Sequence, residues 1–167
     1  IQNHNKGLPT GISLKLNNIT NYPLVDKLYE ASQAGVKIRM IVRGICCLVP
    51  GVKGLSENIT VISVVDKFLE HPRVLIFENA GDKKIYLSSA DFMTRNIENR
   101  VEVACPVYDN ELQRQILDTF ELSWKDNIKA RVVNQNPQNK MLIPQSGEAI
   151  QRSQWTTYAY FKNKLKP

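Results

Sequence analysis

Long apolar runs are missing from this chain of 167 residues. A membrane-spanning helix needs about 20 consecutive apolar residues, and no stretch of the sequence approaches that length. The opening residues, IQNHNKGLPTG, also lack the basic and apolar regions of a signal peptide. These absences predict a protein that is neither anchored in a membrane nor secreted through this end.

Cysteine is scarce, and the spacing of the cysteines matches neither a disulfide framework nor a zinc site. The three cysteines are an odd number, two of them are adjacent (Cys46 and Cys47), and no Cys-x-x-Cys spacing occurs. This pattern argues against a disulfide framework and a zinc site, and it predicts reduced, buried thiols in a cytosolic protein. We expect no metal site built from this chain's own residues.

Three common catalytic and nucleotide-binding motifs are absent as well. The sequence contains no Gly-x-Ser-x-Gly elbow, no P-loop and no Gly-x-Gly-x-x-Gly turn. A Ser-His-Asp triad of Ser88 or Ser89 with His71 and Asp91 is therefore disfavoured. If a nucleotide binds, residues outside these known motifs must bind it.

The composition that is present describes one folded domain with an excess of basic residues. Hydrophobic residues make up 43% and charged residues 23%, which is ordinary for a globular protein. Lysine and arginine number 22 against 16 acidic residues, so the net charge is +6. Such a balance favours an acidic partner, and a simple solubility margin is an equally open explanation. Residues 1–10 are polar and do not begin with Met, and we interpret them as a linker from a preceding domain.

Hydrophobic periodicity predicts strands alternating with helices. Period-two alternation and β-branched residues predict strands at residues 11–16, 36–42, 59–63, 74–77, 84–88, 100–107 and 129–133. Apolar residues at helical spacing predict helices at residues 23–34, 64–70, 109–127 and 148–164, with a polar loop at 134–139. The first strand-helix-strand unit is a parallel crossover, and the turn at 78–82 suits a hairpin. We therefore predict an α/β fold: a single domain with a mixed sheet flanked by helices.

Basic residues surround one of the two histidines, His71. The six candidates are Arg43, Arg73, Lys83, Lys84, Arg95 and Arg100. Arginine is well suited to phosphate because its planar fork can bind two oxygens at once. Arg43 directly follows a predicted strand, and ligands of open α/β sheets bind at such strand ends. This combination is typical of a site that handles phosphoryl groups.

The same stretch resembles the phospholipase D superfamily pattern, which is His-x-Lys followed by Gly-Ser-x-Asn. Here His71 is followed by Arg73 where the pattern has Lys, and residues 88–91 read Ser-Ser-Ala-Asp where it has Gly-Ser-x-Asn. The resemblance therefore has two departures at charged positions, Arg73 and Asp91.

A more specific resemblance is to the last domain of the bacterial class 1 polyphosphate kinases, over roughly residues 7–133. The sequence segments on which the resemblance rests are GISLKLNN (11–18), YEASQAGV (29–36), IVRGICCL (41–48), FLEH (68–71), KIYLSSADFMTRN (84–96) and RVEV (100–103). The resemblance implies a phospholipase D-like domain at 11–133, with 134–167 as a loop and C-terminal helix of the same domain.

What the resemblance implies about function is concrete. The family reversibly transfers the terminal phosphate of ATP to inorganic polyphosphate through a phosphohistidine, with ATP/ADP and Mg²⁺ as cofactors. The phosphohistidine and the Mg²⁺-binding groups are expected in the preceding catalytic domain, which is the implied partner of this one. The full-length enzyme is expected to be a cytoplasmic homo-oligomer that binds no nucleic acid, and its peripheral association with membranes is left open.

The resemblance also assigns candidate site residues. Arg43 and His71 match family residues that contact ATP, and Arg100 matches an arginine that lines the phosphate path, with His71 as the catalytic candidate. Further candidates are Arg73, Lys84, Ser89, Asp91, Arg95 and Asn96. Two alternatives stay open: a phospholipase D-like phosphodiesterase or nuclease half-site, and a non-catalytic basic module that binds polyanions.

Overall fold

A computed structural model describes residues 1–135 and 139–165 of the chain. The strands are β1 (Ile12–Leu16), β2 (Ile38–Val42), β3 (Ile59–Val64), β4 (Val74–Phe77), β5 (Lys84–Ser88), β6 (Ala104–Pro106) and β7 (Ala130–Val133). The α-helices are α1 (Gln2–Asn5), α2 (Tyr22–Gln33), α3 (Thr94–Glu98), α4 (Asn110–Trp124) and α5 (Ser153–Lys164).

The strands form one mixed sheet of seven in the order β6-β5-β4-β1-β2-β3-β7. β1, β2 and β3 are parallel, which confirms the predicted crossover through α2. β4, β5, β6 and β7 each run antiparallel to a neighbour, and β4 and β5 make the predicted hairpin. The predicted class, an α/β domain with a mixed sheet and flanking helices, is confirmed.

The strand directions bring many loops to the same end of the sheet. β1, β2, β3 and β5 finish there, and β4, β6 and β7 begin there, as their registers show. We call this end the site edge. Segments far apart in sequence meet at the site edge only because the chain crosses the sheet repeatedly.

The sheet carries one apolar layer on each face. On one face the buried side chains of β1, β2 and β3 pack with Val25, Leu28 and Ala31 of α2. On the other face Ile41 and Ile62 pack with Phe120 of α4. Two covered faces make the sheet a rigid platform, so groups on the site edge are well positioned. Within the described ranges, no helix combines the length and apolarity needed to cross a membrane.

The helix ends follow their local sequence. The Asn21 side chain accepts a hydrogen bond from the amide of Leu24 at 3.1 Å and caps α2. Gly35 follows the C-cap of α2 with a φ of 95°, a conformation that glycine adopts without steric cost. Asp109 caps α4 in the same way as Asn21, through the amide of Leu112.

The helix predicted at 64–70 is wrong. Residues 65–70 are irregular, and Phe68 and Leu69, which were expected on its apolar side, are 56% and 81% exposed. Side chains from elsewhere hold the segment instead: Arg152 pairs with Asp66 at 2.7 Å, and Gln154 accepts a hydrogen bond from the Phe68 amide. A seven-residue segment gains too little from helical hydrogen bonding to outweigh such contacts.

Smaller differences concern the ends of the chain and the cysteines. One helical turn, α1, lies within the segment interpreted as a linker, and α3 was not predicted. The thiols are free, but Cys47 and Cys105 are exposed, because one lies in a surface loop and the other on the edge strand β6. The predicted loop at 134–139 includes residues 136–138, which lie outside the described residues.

Asp126 is a buried carboxylate that joins the start of β7 to the start of α5. It is 1% exposed and accepts hydrogen bonds from the amides of Ile128, Lys129, Ala130 and Ser153 at 2.6–3.0 Å. Burial by itself would raise its pKa, but the hydrogen bonds from Ser153 and Lys129 outweigh burial and lower the pKa. The carboxylate is therefore held in its charged form by backbone amides.

We expect Asp126→Ala to lower the free energy of unfolding by on the order of 3 kcal/mol, because several buried amide donors lose their acceptor. Chemical denaturation of the protein measures this change. Asp26→Ala on the exposed side of α2 is the matched control and is expected to change stability by less than about 0.5 kcal/mol. Equal effects of the two substitutions would contradict the role assigned to Asp126.

Candidate functional site

Most of the candidate site residues predicted from the sequence lie at the site edge. Arg43 follows β2, His71 and Arg73 precede β4, and Ser89 and Asp91 follow β5. Asn96 lies in α3, and Arg100 lies in the segment between α3 and β6. Arg95 is exposed on α3. These residues come from three connections that the sheet topology brings to one end: the loop after β2, the segment before β4, and the connection between β5 and β6.

Asp91 is the buried anchor of the site. Its side chain is 3% exposed, and its Oδ1 accepts hydrogen bonds from the amides of Asn17 and Asn18 at 2.7 and 3.0 Å. Its Oδ2 accepts a hydrogen bond from Arg73 Nη2 at 3.0 Å. The loop after β1 is thereby tied to the loop after β5 and to the segment before β4.

Asp91 is charged at neutral pH despite its burial. Burial by itself would raise its pKa, but hydrogen bonds from Arg73 and from the amides of Asn18 and Asn17 together lower the pKa below its ordinary value. The negative charge is therefore a permanent feature of the site and balances one arginine.

Arg73 links this anchor to His71. Its Nη2 atom lies 2.9 Å from Nε2 of His71, while its own side chain is only 16% exposed. The Nε of Arg73 is buried and has no hydrogen-bond partner in the described part of the chain. His71 itself is exposed, so its ring is accessible from outside the chain.

Arg43 is held by the loop that follows β1. Its Nε donates to Oδ1 of Asn17 at 2.7 Å, and Oδ1 of Asn18 accepts a hydrogen bond from the amide of Ile45 at 2.8 Å. A side-chain carbon on Gly44 would lie 2.6 Å from Asn18 Oδ1, so glycine is needed for this approach. One nitrogen of the Arg43 guanidinium is thus fixed, and its forked end is available to a ligand.

Glu102 is a site residue that the sequence prediction missed. It accepts hydrogen bonds from the side chains of Ser89 and of Asn96, the latter at 2.6 Å. These two hydrogen bonds are the main cause of its lowered pKa, and the charges of Arg100 and Arg73 lower it further. Its position between two valines of the alternating stretch 101–103 was a signal that its side chain points away from theirs.

Asn17 and Asn18 were also missed. They directly follow β1, so the strand-end argument that singled out Arg43 applies to them equally. Their amides and side chains position Asp91 and Arg43, whereas their residue type gave no sign of chemistry.

Lys84 is not brought together with the other candidates. It begins β5 opposite Phe77, at the far end of the sheet from His71, and it pairs with Asp82 at 2.6 Å. A Ser-His-Asp triad is not formed either. Ser88 Oγ accepts from the Ala90 amide and Ser89 Oγ binds Glu102, and within residues 1–135 and 139–165 no hydrogen bond joins either serine to His71.

The acidic groups of the site do not fit a Mg²⁺ site. Mg²⁺ needs oxygen ligands in an octahedral arrangement, but Asp91 is already bound to Arg73 and two amides, and Glu102 to Ser89 and Asn96. Over the described ranges, no group of three or more His, Cys, Asp or Glu side chains is placed to hold a metal ion.

The arrangement suits the binding of a phosphate chain. An exposed imidazole contacts the guanidinium of Arg73, Arg43 and Arg100 lie in loops at the same edge, and the carboxylates of Asp91 and Glu102 are occupied by internal contacts. Such a surface can neutralise phosphate oxygens and exchange a proton with them.

Known proteins of high similarity are polyphosphate kinases. The chain is 49% identical to the polyphosphate kinase of Klebsiella pneumoniae and 48% identical to that of Escherichia coli K12, over all 167 residues in both cases. The chain spans about a quarter of the length of these relatives, 24% in each.

Solved structures agree with this relationship. The crystal structure of polyphosphate kinase from Porphyromonas gingivalis matches with a TM-score of 0.94 and 43% identity, over 98% of this chain and 25% of that one. Nuc from Salmonella typhimurium, a phospholipase D family member, matches with a TM-score of 0.57 and 15% identity over 74% of this chain and 82% of its own. The second likeness concerns the fold alone and confirms the predicted phospholipase D-like architecture.

A family model gives the same assignment from the sequence. It matches residues 1–154 and describes the polyphosphate kinase C-terminal domain 2. With a match over most of its length, the chain belongs to the polyphosphate kinase C-terminal domain 2 family.

Proposed function

We propose that this chain is part of a polyphosphate kinase that reversibly transfers the terminal phosphate of ATP to inorganic polyphosphate. In this proposal the transferred phosphate passes through a phosphohistidine in a preceding catalytic domain. The present chain supplies one wall of the shared site, with Arg43 and His71 binding the phosphates of ATP and Arg100 lining the path of the polyphosphate.

The observation that carries this proposal is the position of His71. Its ring is exposed at the site edge, where Arg73 contacts it and where the loop after β1 holds Arg43 at the same end of the sheet. A phosphoryl-transfer site depends mainly on positioning and on positive charge around the phosphate oxygens. The high identity to polyphosphate kinases supports the choice of substrate class.

The role of each residue follows from its chemistry. The forked end of Arg43 can bind two oxygens of one phosphate, and Arg100, which is exposed, can bind a further phosphate along the chain. His71 binds a phosphate oxygen and exchanges a proton with it, which assists departure of the leaving oxygen. Because the carboxylates of Asp91 and Glu102 are already hydrogen-bonded within this chain, we place the Mg²⁺ ligands in the preceding domain. We further propose a cytoplasmic homo-oligomer that binds no nucleic acid.

We expect Arg100→Ala in the full-length enzyme to lower polyphosphate synthesis by at least about tenfold, the scale of losing a charge-assisted phosphate contact. Synthesis of polyphosphate from ATP, followed over time, measures the loss.

Arg114→Ala is the matched control for this experiment. Arg114 is an exposed arginine of α4 that pairs with Glu111, so its loss removes the same charge without touching the site edge. Unchanged synthesis in Arg100→Ala would remove Arg100 from the site. Hydrolysis of a generic phosphodiester by the wild-type enzyme, without polyphosphate synthesis, would favour the phosphodiesterase alternative over the kinase.

A further inference from the structure

The two departures from the phospholipase D pattern that lie at charged positions contact each other. Arg73 stands where the pattern has lysine and Asp91 where it has asparagine, and their side chains are 3.0 Å apart. One position gains a guanidinium and the other gains a carboxylate. The site therefore contains an ion pair of arginine and aspartate where the pattern has a lysine and a neutral asparagine.

Asp91 is buried, Arg73 is largely buried, and the pair is fixed to the sheet. The side chains of Arg73 and Asp91 are 16% and 3% exposed, and the other oxygen of Asp91 is held by two backbone amides of the loop after β1. Separating a largely buried ion pair is costly, because each charge would be left without its partner. Arg73 is thus less suited than Arg43 to bind an incoming phosphate, since its charge is already matched.

The contact with His71 selects one state of the imidazole. Arginine has donors only and keeps its protons at all accessible pH values, so in this contact Nε2 of His71 accepts the hydrogen bond. A neutral imidazole that accepts at Nε2 carries its proton on Nδ1. The Nδ1–H group is then the one that donates a hydrogen bond to a phosphate oxygen. For this proton to be transferred, Nε2 must first leave its contact with Arg73 and take up a proton from solvent, since a neutral imidazole that lost Nδ1–H would become an imidazolate.

We propose that Arg73 and Asp91 act together as a positioning pair that fixes the orientation and tautomer of His71, and that Arg73 does not bind the transferred phosphate. This inference rests on the proposed function, because its consequence is measured in phosphoryl transfer. It divides the arginines of the site edge into two groups: Arg43 and Arg100 bind phosphates, and Arg73 acts through His71.

The test is a set of variants in the full-length enzyme: Arg73→Lys, Asp91→Asn, both together, and Arg73→Lys combined with His71→Gln. We expect Arg73→Lys to lower kcat by about tenfold or more and to leave the KM for ATP within about twofold, since a misplaced catalytic group affects the transition state rather than ground-state binding. The double variant of Arg73 and Asp91 should lose no more than the worse single variant, because the two residues form one unit. In the His71→Gln background, Arg73→Lys should have no further effect on kcat.

The opposite outcomes are equally clear. A rise of about tenfold in the KM for ATP with unchanged kcat would show that Arg73 binds phosphate and would overturn the proposal. A further loss of kcat from Arg73→Lys when His71 is already replaced would do the same. The melting temperature of each variant identifies unfolded protein, and if Asp91→Asn fails to fold, the Arg73→Lys variants still decide the question. A wild-type enzyme without polyphosphate synthesis would instead refute the proposed function.

Discussion

Replacing His71 with glutamine in the full-length enzyme is expected to lower kcat for polyphosphate synthesis by at least about a hundredfold, the lower range for loss of a general acid or base. Glutamine keeps a hydrogen-bonding amide of similar reach but cannot exchange a proton near neutral pH. The effect should fall on kcat, because proton transfer contributes in the transition state. Steady-state kinetics with ATP as the varied substrate measure it.

The other histidine of the chain is the matched control. His4 lies next to Gly35 at the opposite end of the sheet, where its Nδ1 is 3.2 Å from Thr10 Oγ1. We expect His4→Gln to leave kcat within about twofold of the wild type, as for a surface change away from the site. If His71→Gln raised only the KM for ATP, His71 would be a binding group and the proton-transfer role would be lost.

The sequence was sufficient to predict the mixed sheet and flanking helices of this fold, whereas the site residues stay a prediction. Most strands show alternating or β-branched residues, the crossover through α2 has a clear helix stop at Gly35, and the strand-end rule led directly to Arg43. These features are encoded locally, within a few residues, and the folded structure preserves them because both faces of the sheet are covered by apolar layers.

The contacts inside the site could not be predicted in the same way. Asp91 and Asn17 are 74 positions apart in sequence and meet only after the sheet forms. The case of Lys84 shows the same limit from the other side. Alternation indicated which face of β5 it occupies, but the end of the sheet at which it lies depends on the direction of β5 relative to β1, which local spacing does not contain.

The failed helix at 64–70 has a related cause. Its apolar spacing was correct for a helix, but Phe68 and Leu69 are largely exposed, and the contacts of Asp66 with Arg152 join residues 86 positions apart. The conformation of a short segment is set by such distant partners. Apolar residues at helical spacing can then lie exposed on the surface without forming a helix.

The second large effect is expected for stability rather than catalysis. We expect Asp91→Ala to lower the free energy of unfolding by about 3–5 kcal/mol, the cost of removing one partner from a buried ion pair and leaving the other uncompensated. Arg73 would keep its charge in a nearly closed environment, and the amides of Asn17 and Asn18 would lose their acceptor. Chemical denaturation of the 167-residue chain at neutral pH measures the loss.

The pH dependence gives this prediction a signature that a simple cavity would not produce. Because the pKa of Asp91 is lower in the folded chain than in the unfolded one, the carboxylate stabilises the fold at pH values above its unfolded pKa of about 3.9. As the pH falls through the folded pKa, the carboxylate takes up a proton and this stabilisation disappears. The difference in stability between the wild type and Asp91→Ala should therefore be full at neutral pH and shrink in acid.

Asp82→Ala, which breaks an exposed ion pair with Lys84, is the control, and its stability should differ little from that of the wild type at either pH. A difference between wild type and Asp91→Ala that stayed constant down to strongly acidic pH would assign the effect to lost packing rather than to the buried charge.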